Sequence, residues 1–443
     1  MTSRSIGTES PERRLRVLAL AESAHPEAQS VSLIGWSHSR ALTAFADVHL
    51  VTRSANRAAI LAAGLCEGRD FTAIDLDAYE RAIHRAGAWL RGDPDKGWTT
   101  LAALSLPAYY AFEQAAWRRF GAGIQAGEFD LVHRITPVSP ALPSLIARRC
   151  ARAGVPFVLG PINGGLPWPR HFNHLRHAER EWLSYLRGAH RLLPGYRATR
   201  RHAAAILAGS RTTLAQVPAR WRHKCIYVPE NGIDPARFPA PPPRPPRALP
   251  LRAVFVGRLV PAKGVDIGLE AAAALLHDGR LRLDIVGDGP ERARLEAQVA
   301  GERLTTAVRL HGRVGPKEVH RHLAAADLLL FPSVRDFGGG VVLEAMAMGV
   351  VPLVIDSGGP GELVTPASGL KVPLGSRAEI VAGLRRVLAA MAAEPARLEP
   401  LAARARQRVA TLFTWQQKAR QVRAVYGWVL GEQDTKPDFG FTD

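Results

Sequence analysis

Along this chain, short apolar runs alternate with longer amphipathic stretches. The runs at 16–20 and 46–52 predict strands, with a helix over 33–45 between them. Further strands are predicted at 130–134, 156–159 and 205–208. Residues 239–250 are so rich in proline that they can form neither helix nor central strand, because proline lacks the N–H donor and fixes φ. Beyond this linker the alternation restarts, with strands predicted at 252–256, 281–286, 307–311, 327–331 and 350–355. Helices are predicted between and after them at 264–277, 290–301, 316–324, 341–348 and 376–392. Such alternation indicates parallel α/β sheets, which bind ligands in loops beyond the carboxyl ends of their strands. The expected class is therefore α/β with two Rossmann-like domains. The boundaries are a disordered tail at 1–14, a first domain at 15–238, the linker at 239–250, and a second domain at 251–412. A last helix at 413–432 and a tail at 433–443 complete the chain.

Composition narrows the class. Lys and Arg number 58 against 40 Asp and Glu, a net charge of +18. Residues 1–250 hold 33 basic and 19 acidic residues, or +14, so the excess belongs to the first half. Cys66, Cys150 and Cys225 form no CxxC pair, which argues against a disulfide framework or a cysteine zinc site. The apolar run 17–21 is too short for a signal-peptide core, and no stretch nears the ~20 apolar residues of a spanning helix. A soluble protein of a reducing compartment is expected.

Three segments carry candidate chemistry. In Val256-Gly-Arg-Leu-Val-Pro-Ala-Lys-Gly264, a predicted strand ends at Gly257, Arg258 and Lys263 follow in the loop, and Gly264 admits a helix. A planar guanidinium and a point-charge ammonium suit a diphosphate, although a solvated basic loop explains the string equally well. Asp284-Ile-Val-Gly-Asp-Gly-Pro290 reads as strand, turn at Gly287 and helix start; it is no dinucleotide fingerprint, since Arg292 stands where the third glycine belongs. The third segment runs from Phe331 to Gly349: a strand, Asp336 and Phe337, the glycines Gly338, Gly339 and Gly340, then a helix from Val341 with Glu344 in its first turn. Glycines admit close approach of backbone N–H groups to a phosphate, and the helix start adds partial positive charge. Glu344 is placed to accept from paired hydroxyls such as a ribose edge, and Asp336 to hold another polar group of the ligand.

Taken in order, these motifs, with Gly358-Gly-Pro-x-Glu362, His133–Pro140, Gly160-Pro-Ile-Asn-Gly-Gly165, Pro229-Glu-Asn-Gly-Ile-Asp234 and Phe413-Thr-Trp415, resemble glycosyltransferase family 4. The resemblance covers most of residues 15–430. It implies the GT-B fold, two Rossmann-like domains facing across a cleft, with the C-terminal helix returning to the first domain. It implies a nucleotide-diphosphate-sugar donor, transfer to an acceptor hydroxyl with retention of configuration, and no cofactor or metal. Residue by residue, Arg258 and Lys263 would bind the donor diphosphate and Glu344 its ribose. Asp336 and the amides after Phe337 would meet the sugar and phosphate, and His133 would face the sugar near its anomeric carbon. Gly257, Gly287 and Val341 complete the expected donor site. The chain departs from the family twice: Asp336 stands where Glu is usual, and Glu22–Ser30, after the first strand, lacks the usual glycines. These departures keep open a partner subunit that binds nucleotide sugar without turnover; a synthase acting on a sugar phosphate is the other alternative.

Two features stand outside this pattern. His171, His174 and His177 suggest a metal site, but spacing of three leaves only two on one helical face, and arginines surround them. Gly121–Gly127 looks phosphate-like yet precedes a strand, as a helix end and loop would. Residues 170–224 hold 12 Arg or Lys against Glu179 and Glu181, with Trp168, Trp182, Tyr185, Leu186 and Leu192 interleaved among them. Either a solvated helix pair or a surface for anionic lipid accounts for this. The second expectation puts the protein in the cytoplasm, peripheral on the inner face of the plasma membrane, with an acceptor glycan that is polymeric or lipid-linked. Nucleic acid is not expected as a partner, since no binding module is present.

Overall fold

Each half of the chain folds around its own parallel sheet. The computed structural model describes residues 13–76, 98–173, 175, 189–239 and 246–441. The first sheet contains β1 (Leu15–Ala21), β2 (Ala46–Arg53), β3 (Phe71–Ile74), β4 (Leu131–Thr136), β5 (Phe157–Ile162), β6 (Ala205–Ala208) and β7 (Cys225–Tyr227), in the order β3-β2-β1-β4-β5-β6-β7. The second contains β8 (Leu251–Val256), β9 (Leu281–Val286), β10 (Val308–Gly312), β11 (Leu328–Phe331), β12 (Val351–Asp356) and β13 (Leu370–Pro373), in the order β10-β9-β8-β11-β12-β13. Near-continuous burial along β5, β6 and β11 is what a parallel sheet covered on both faces requires. In each sheet the strand order reverses beside its first strand, between β1 and β4 and between β8 and β11. Ligands of open α/β sheets bind in the crevice at such a switch point.

The two sheets are joined by more than the linker. The last helix (Trp415–Val429) packs against the helix Val31–Leu42 of the first domain, and its Val422, Val425 and Tyr426 join that domain's core. Just before it, the Ile233 amide donates to the Phe413 carbonyl (2.7 Å) and the Trp415 amide to the Ile233 carbonyl (3.0 Å). Lys418 is buried and donates to the Pro229 carbonyl. Among the described residues no helix is long and apolar enough to cross a membrane.

His133 is not where the resemblance places it. On the central strand β4 its ring is fully buried: Nδ1 meets the Tyr426 hydroxyl at 2.6 Å and Nε2 the Gly160 carbonyl at 2.5 Å. Burial lowers its pKa to about 4, so the ring is neutral. With both nitrogens occupied inside the first domain, it docks the last helix and faces no sugar. It leaves the catalytic set.

The basic stretch is only partly described. His174, His177, Trp182, Tyr185, Leu186, Arg176, Arg180 and Arg187 lie outside the described residues. Arg200, one of the 12 cations, is buried with its guanidinium 3.5 Å from the centre of the Tyr196 ring, so it belongs to the interior and not to a lipid-facing surface. Trp168 is likewise buried in the core and drops out of that surface, whereas Leu192 is 82% exposed.

Candidate functional site

The loops that follow β8 and β11 meet at the switch point of the second sheet. The chain leaves β8 through Gly257 and exposed Arg258, turns over Pro261–Lys263, and enters the helix Val265–His277 through Gly264. Gly264 has φ +62°, and a Cβ there would lie 2.4 Å from the Pro332 carbonyl oxygen, so only glycine lets the two loops touch. The Val334 amide and the Ser333 hydroxyl both donate to the Ala262 carbonyl, at 3.0 and 3.1 Å, and lock the contact.

Lys263 lies over the Phe331 ring (4.9 Å) and forms an ion pair with Asp336. Asp336 Oδ1 accepts from the amides of Gly338 (3.1 Å) and Gly339 (2.9 Å). Burial raises the Asp336 pKa, but Lys263 and the two amides outweigh it, so the carboxylate stays ionised. The glycines therefore divide the work. The Gly338 and Gly339 amides serve Asp336, which shapes the loop, and Gly339 adopts the left-handed conformation (φ +60°) before the helix Gly340–Ala347. The amides of Gly340 and Val341 begin that helix and are among the donors that every helix start leaves without an intrahelical partner. Glu344 follows one turn later. Among the described residues its carboxyl has no hydrogen-bond partner, and burial raises its pKa to about 7, opposed by the charge of Arg237. Gly287 ends β9 against this assembly, its amide donating to the Gly312 carbonyl (2.9 Å).

The first domain supplies a wall that the motifs did not assign to the site. Asn163, after β5, donates from Nδ2 to Glu230 Oε1 (2.7 Å) and to the Phe337 carbonyl (3.0 Å). Its Oδ1 accepts from the Ser210 and Thr213 hydroxyls at 2.9 and 3.1 Å, which fixes the amide's orientation. Asn231 donates to the Gly338 carbonyl (2.9 Å). Burial pushes Glu230 up to about 7, and a Cβ on Gly338 would lie 2.5 Å from Glu230 Oε1. Further along, Glu362 accepts from the amides of Arg211 (2.7 Å) and Thr212 (3.4 Å). The glycine loop is thus held from both domains. Asn163, Glu230 and Asn231 stand in the Pro-Ile-Asn-Gly-Gly and Pro-Glu-Asn-Gly strings, a signal that marks them but not their partner.

Comparison with known proteins places this geometry. Over 95% of this chain and all of the other, the structure superposes on sucrose-phosphate synthase from Thermosynechococcus elongatus with a TM-score of 0.62 at 18% identity. The fold is GT-B. Residues 247–426, which include the whole second sheet of this GT-B chain, match the family model of glycosyl transferases group 1. In sequence the chain is 34% identical over 215 residues to a glycogen synthase of Mycobacterium tuberculosis (strain CDC 1551 / Oshkosh), covering 48% of this chain and 51% of that protein. It is 39% identical over 122 residues to a GDP-mannose-dependent alpha-mannosyltransferase of the same strain, covering 27% of this chain and 30% of the other. The glycogen synthase alignment spans about half of that relative's length, and the mannosyltransferase alignment less than a third. The matched portions support glycosyltransferase relationship.

Proposed function

We propose that this chain is a retaining glycosyltransferase that moves a sugar from a nucleotide-diphosphate donor to an acceptor hydroxyl without a metal. The observation that carries the reading is the convergence of Arg258, Lys263, the helix start at Gly340 and Glu344 at one switch point. The match of that region to glycosyl transferases group 1 supports it. The chemistry asks for stabilisation of charge on the departing diphosphate, which fixed cations and helix-start amides supply without reorganising. Arg258 and Lys263 take the phosphates, Asp336 holds the loop and orients Lys263, and Glu344 accepts from the ribose hydroxyls. Excluding water from the cleft limits hydrolysis of the donor. The name of one relative, glycogen synthase, favours a glycan acceptor. The anomeric configuration of the first-formed product, read by NMR, tests retention; an inverted product overturns it.

Glu344 gives the reading a pH signature. A protonated carboxyl accepts less well from two hydroxyls, so donor affinity should fall as pH drops below about 7, the value to which burial lifts this group. The donor KM is expected to rise on the acid side of an inflection near that value, and Glu344→Gln should flatten the curve. A pH-independent KM in the unmodified protein removes Glu344 from the ribose.

For the acceptor we propose a lipid-linked or polymeric glycan, met at an anionic cytoplasmic surface. Each cation near such a surface is worth about 1 kcal/mol, so a few of the cations between 170 and 224 give reversible attachment that salt weakens. Sedimentation with anionic vesicles at low and high salt measures this. Charge reversal at Arg176, Arg180 and Arg187 should abolish it, and no binding at low salt makes a soluble acceptor the better reading.

A further inference from the structure

We propose that Asp284, His311 and His322 form a binding site for a divalent transition-metal ion of the zinc class on the second domain. Asp284 comes from β9, His311 from the neighbouring edge strand β10, and His322 from the helix Pro316–Ala325, so three separate elements converge. Their ligand atoms all lie within 4.8 Å of one another. His311 Nε2 is 2.5 Å from Asp284 Oδ1, and the two imidazole centres are 4.3 Å apart. All three residues are partly exposed, which gives an ion a route in.

The donor set selects the ion. Two imidazoles and one carboxylate suit zinc and its transition-metal neighbours, whereas magnesium and calcium prefer oxygen cages. Bonds of about 2.1 Å in a tetrahedron separate ligand atoms by about 3.4 Å, so the cluster needs the His311–Asp284 contact to open by about 0.9 Å and His322 to draw in by up to about 1.4 Å. Three protein ligands leave the fourth position for water, with Glu318 one turn before His322 on the same helix. Among the described residues the His322 ring makes no hydrogen bond, while it lies against the only pair that could share an ion with it. Lone-pair ligation would hold the edge strand to the helix beside it. His311 also precedes Gly312, whose carbonyl accepts from Gly287, so the ion would brace the strand that backs the turn after β9. This site has no part in the phosphate chemistry proposed above.

The test uses the full chain, stripped by chelator and titrated with Zn²⁺ in a calorimeter and with Co²⁺ in a visible spectrometer. The expected result is one ion per chain and the intense Co²⁺ absorption of a four-coordinate nitrogen–oxygen site. His311→Ala, His322→Ala and Asp284→Asn should each weaken binding at least about tenfold with the far-ultraviolet circular dichroism unchanged. The Co²⁺ spectrum of the unmodified chain answers the question even if a variant misfolds. Absence of stoichiometric binding, or full binding by the His311→Ala/His322→Ala double variant, overturns the proposal.

Discussion

Replacing Lys263 with alanine is expected to lower kcat/KM for the sugar-nucleotide donor by about 10²–10³-fold, the effect of removing one preorganised charge-stabilising group from an active site. The side chain lies at the carboxyl end of the switch-point crevice and pairs with Asp336, so its loss would remove the proposed phosphate contact and the partner of that carboxylate together. Asp336 would keep the Gly338 and Gly339 amides, so the loop should not unravel. Steady-state kinetics with a thermal melt checks both halves: near-normal turnover in a folded variant sinks the assignment. Asp336 gives the companion measurement. Asp336→Ala frees Lys263 and orphans two amides, and should remove most activity, whereas Asp336→Glu keeps the charge and should retain a large share. Equal behaviour of the two variants would reduce Asp336 to an ordinary loop charge.

The largest effect on stability is expected at Gly287. A Cβ there would lie 1.8 Å from the Gly257 carbonyl oxygen, and the residue has φ +146°, where side chains rarely sit. Backbone blocks this approach on one side, and the conformation is strained on the other. Gly287→Ala is therefore expected to cost about 3–5 kcal/mol and to separate β8 from the β9 turn. Gly279→Ala is the control: its φ is +66°, but nothing lies within 4 Å of the added carbon, so about 1 kcal/mol is expected. Urea unfolding of the pair checks the contrast, and similar midpoints for the two variants contradict it.

Much of the fold is written in the chain's local pattern. Strands β8 to β12 are apolar runs closed by glycine or polar turns, and the sequence places their ends within one or two residues. Most elements it misses are short or interrupted, with the 15-residue helix Leu398–Leu412 the exception. β3, β7 and β13 have three or four residues each, too few to show a period. The 28-residue helix Trp98–Gln125 contains Pro107, which reads as a breaker. In the site, Lys263, Asp336 and Glu344 are legible because each follows a strand end in a string of recognisable order. Asn163 and Asn231 are not, because their partners at Phe337 and Gly338 lie 174 and 107 residues away. His133 shows a further limit: a strand residue's burial depends on what covers each face, and here the last helix, 293 residues distant at Tyr426, covers its ring. Asp336 carried a local signal in addition to the family one, since a short acid two and three residues before glycines can accept from their amides. Its shorter side chain suits that task.

The measurement that tests the central claim most directly is release of nucleoside diphosphate from a panel of common sugar nucleotides, with and without glycan acceptor. The expected result is release from at least one donor by the unmodified chain, faster with a matched acceptor, and its loss in folded Lys263→Ala and Glu344→Ala variants. Release from none of the donors, while nucleotide still binds, would make this a sugar-nucleotide-binding subunit and contradict the enzyme proposed here; release untouched by both substitutions would place the donor elsewhere.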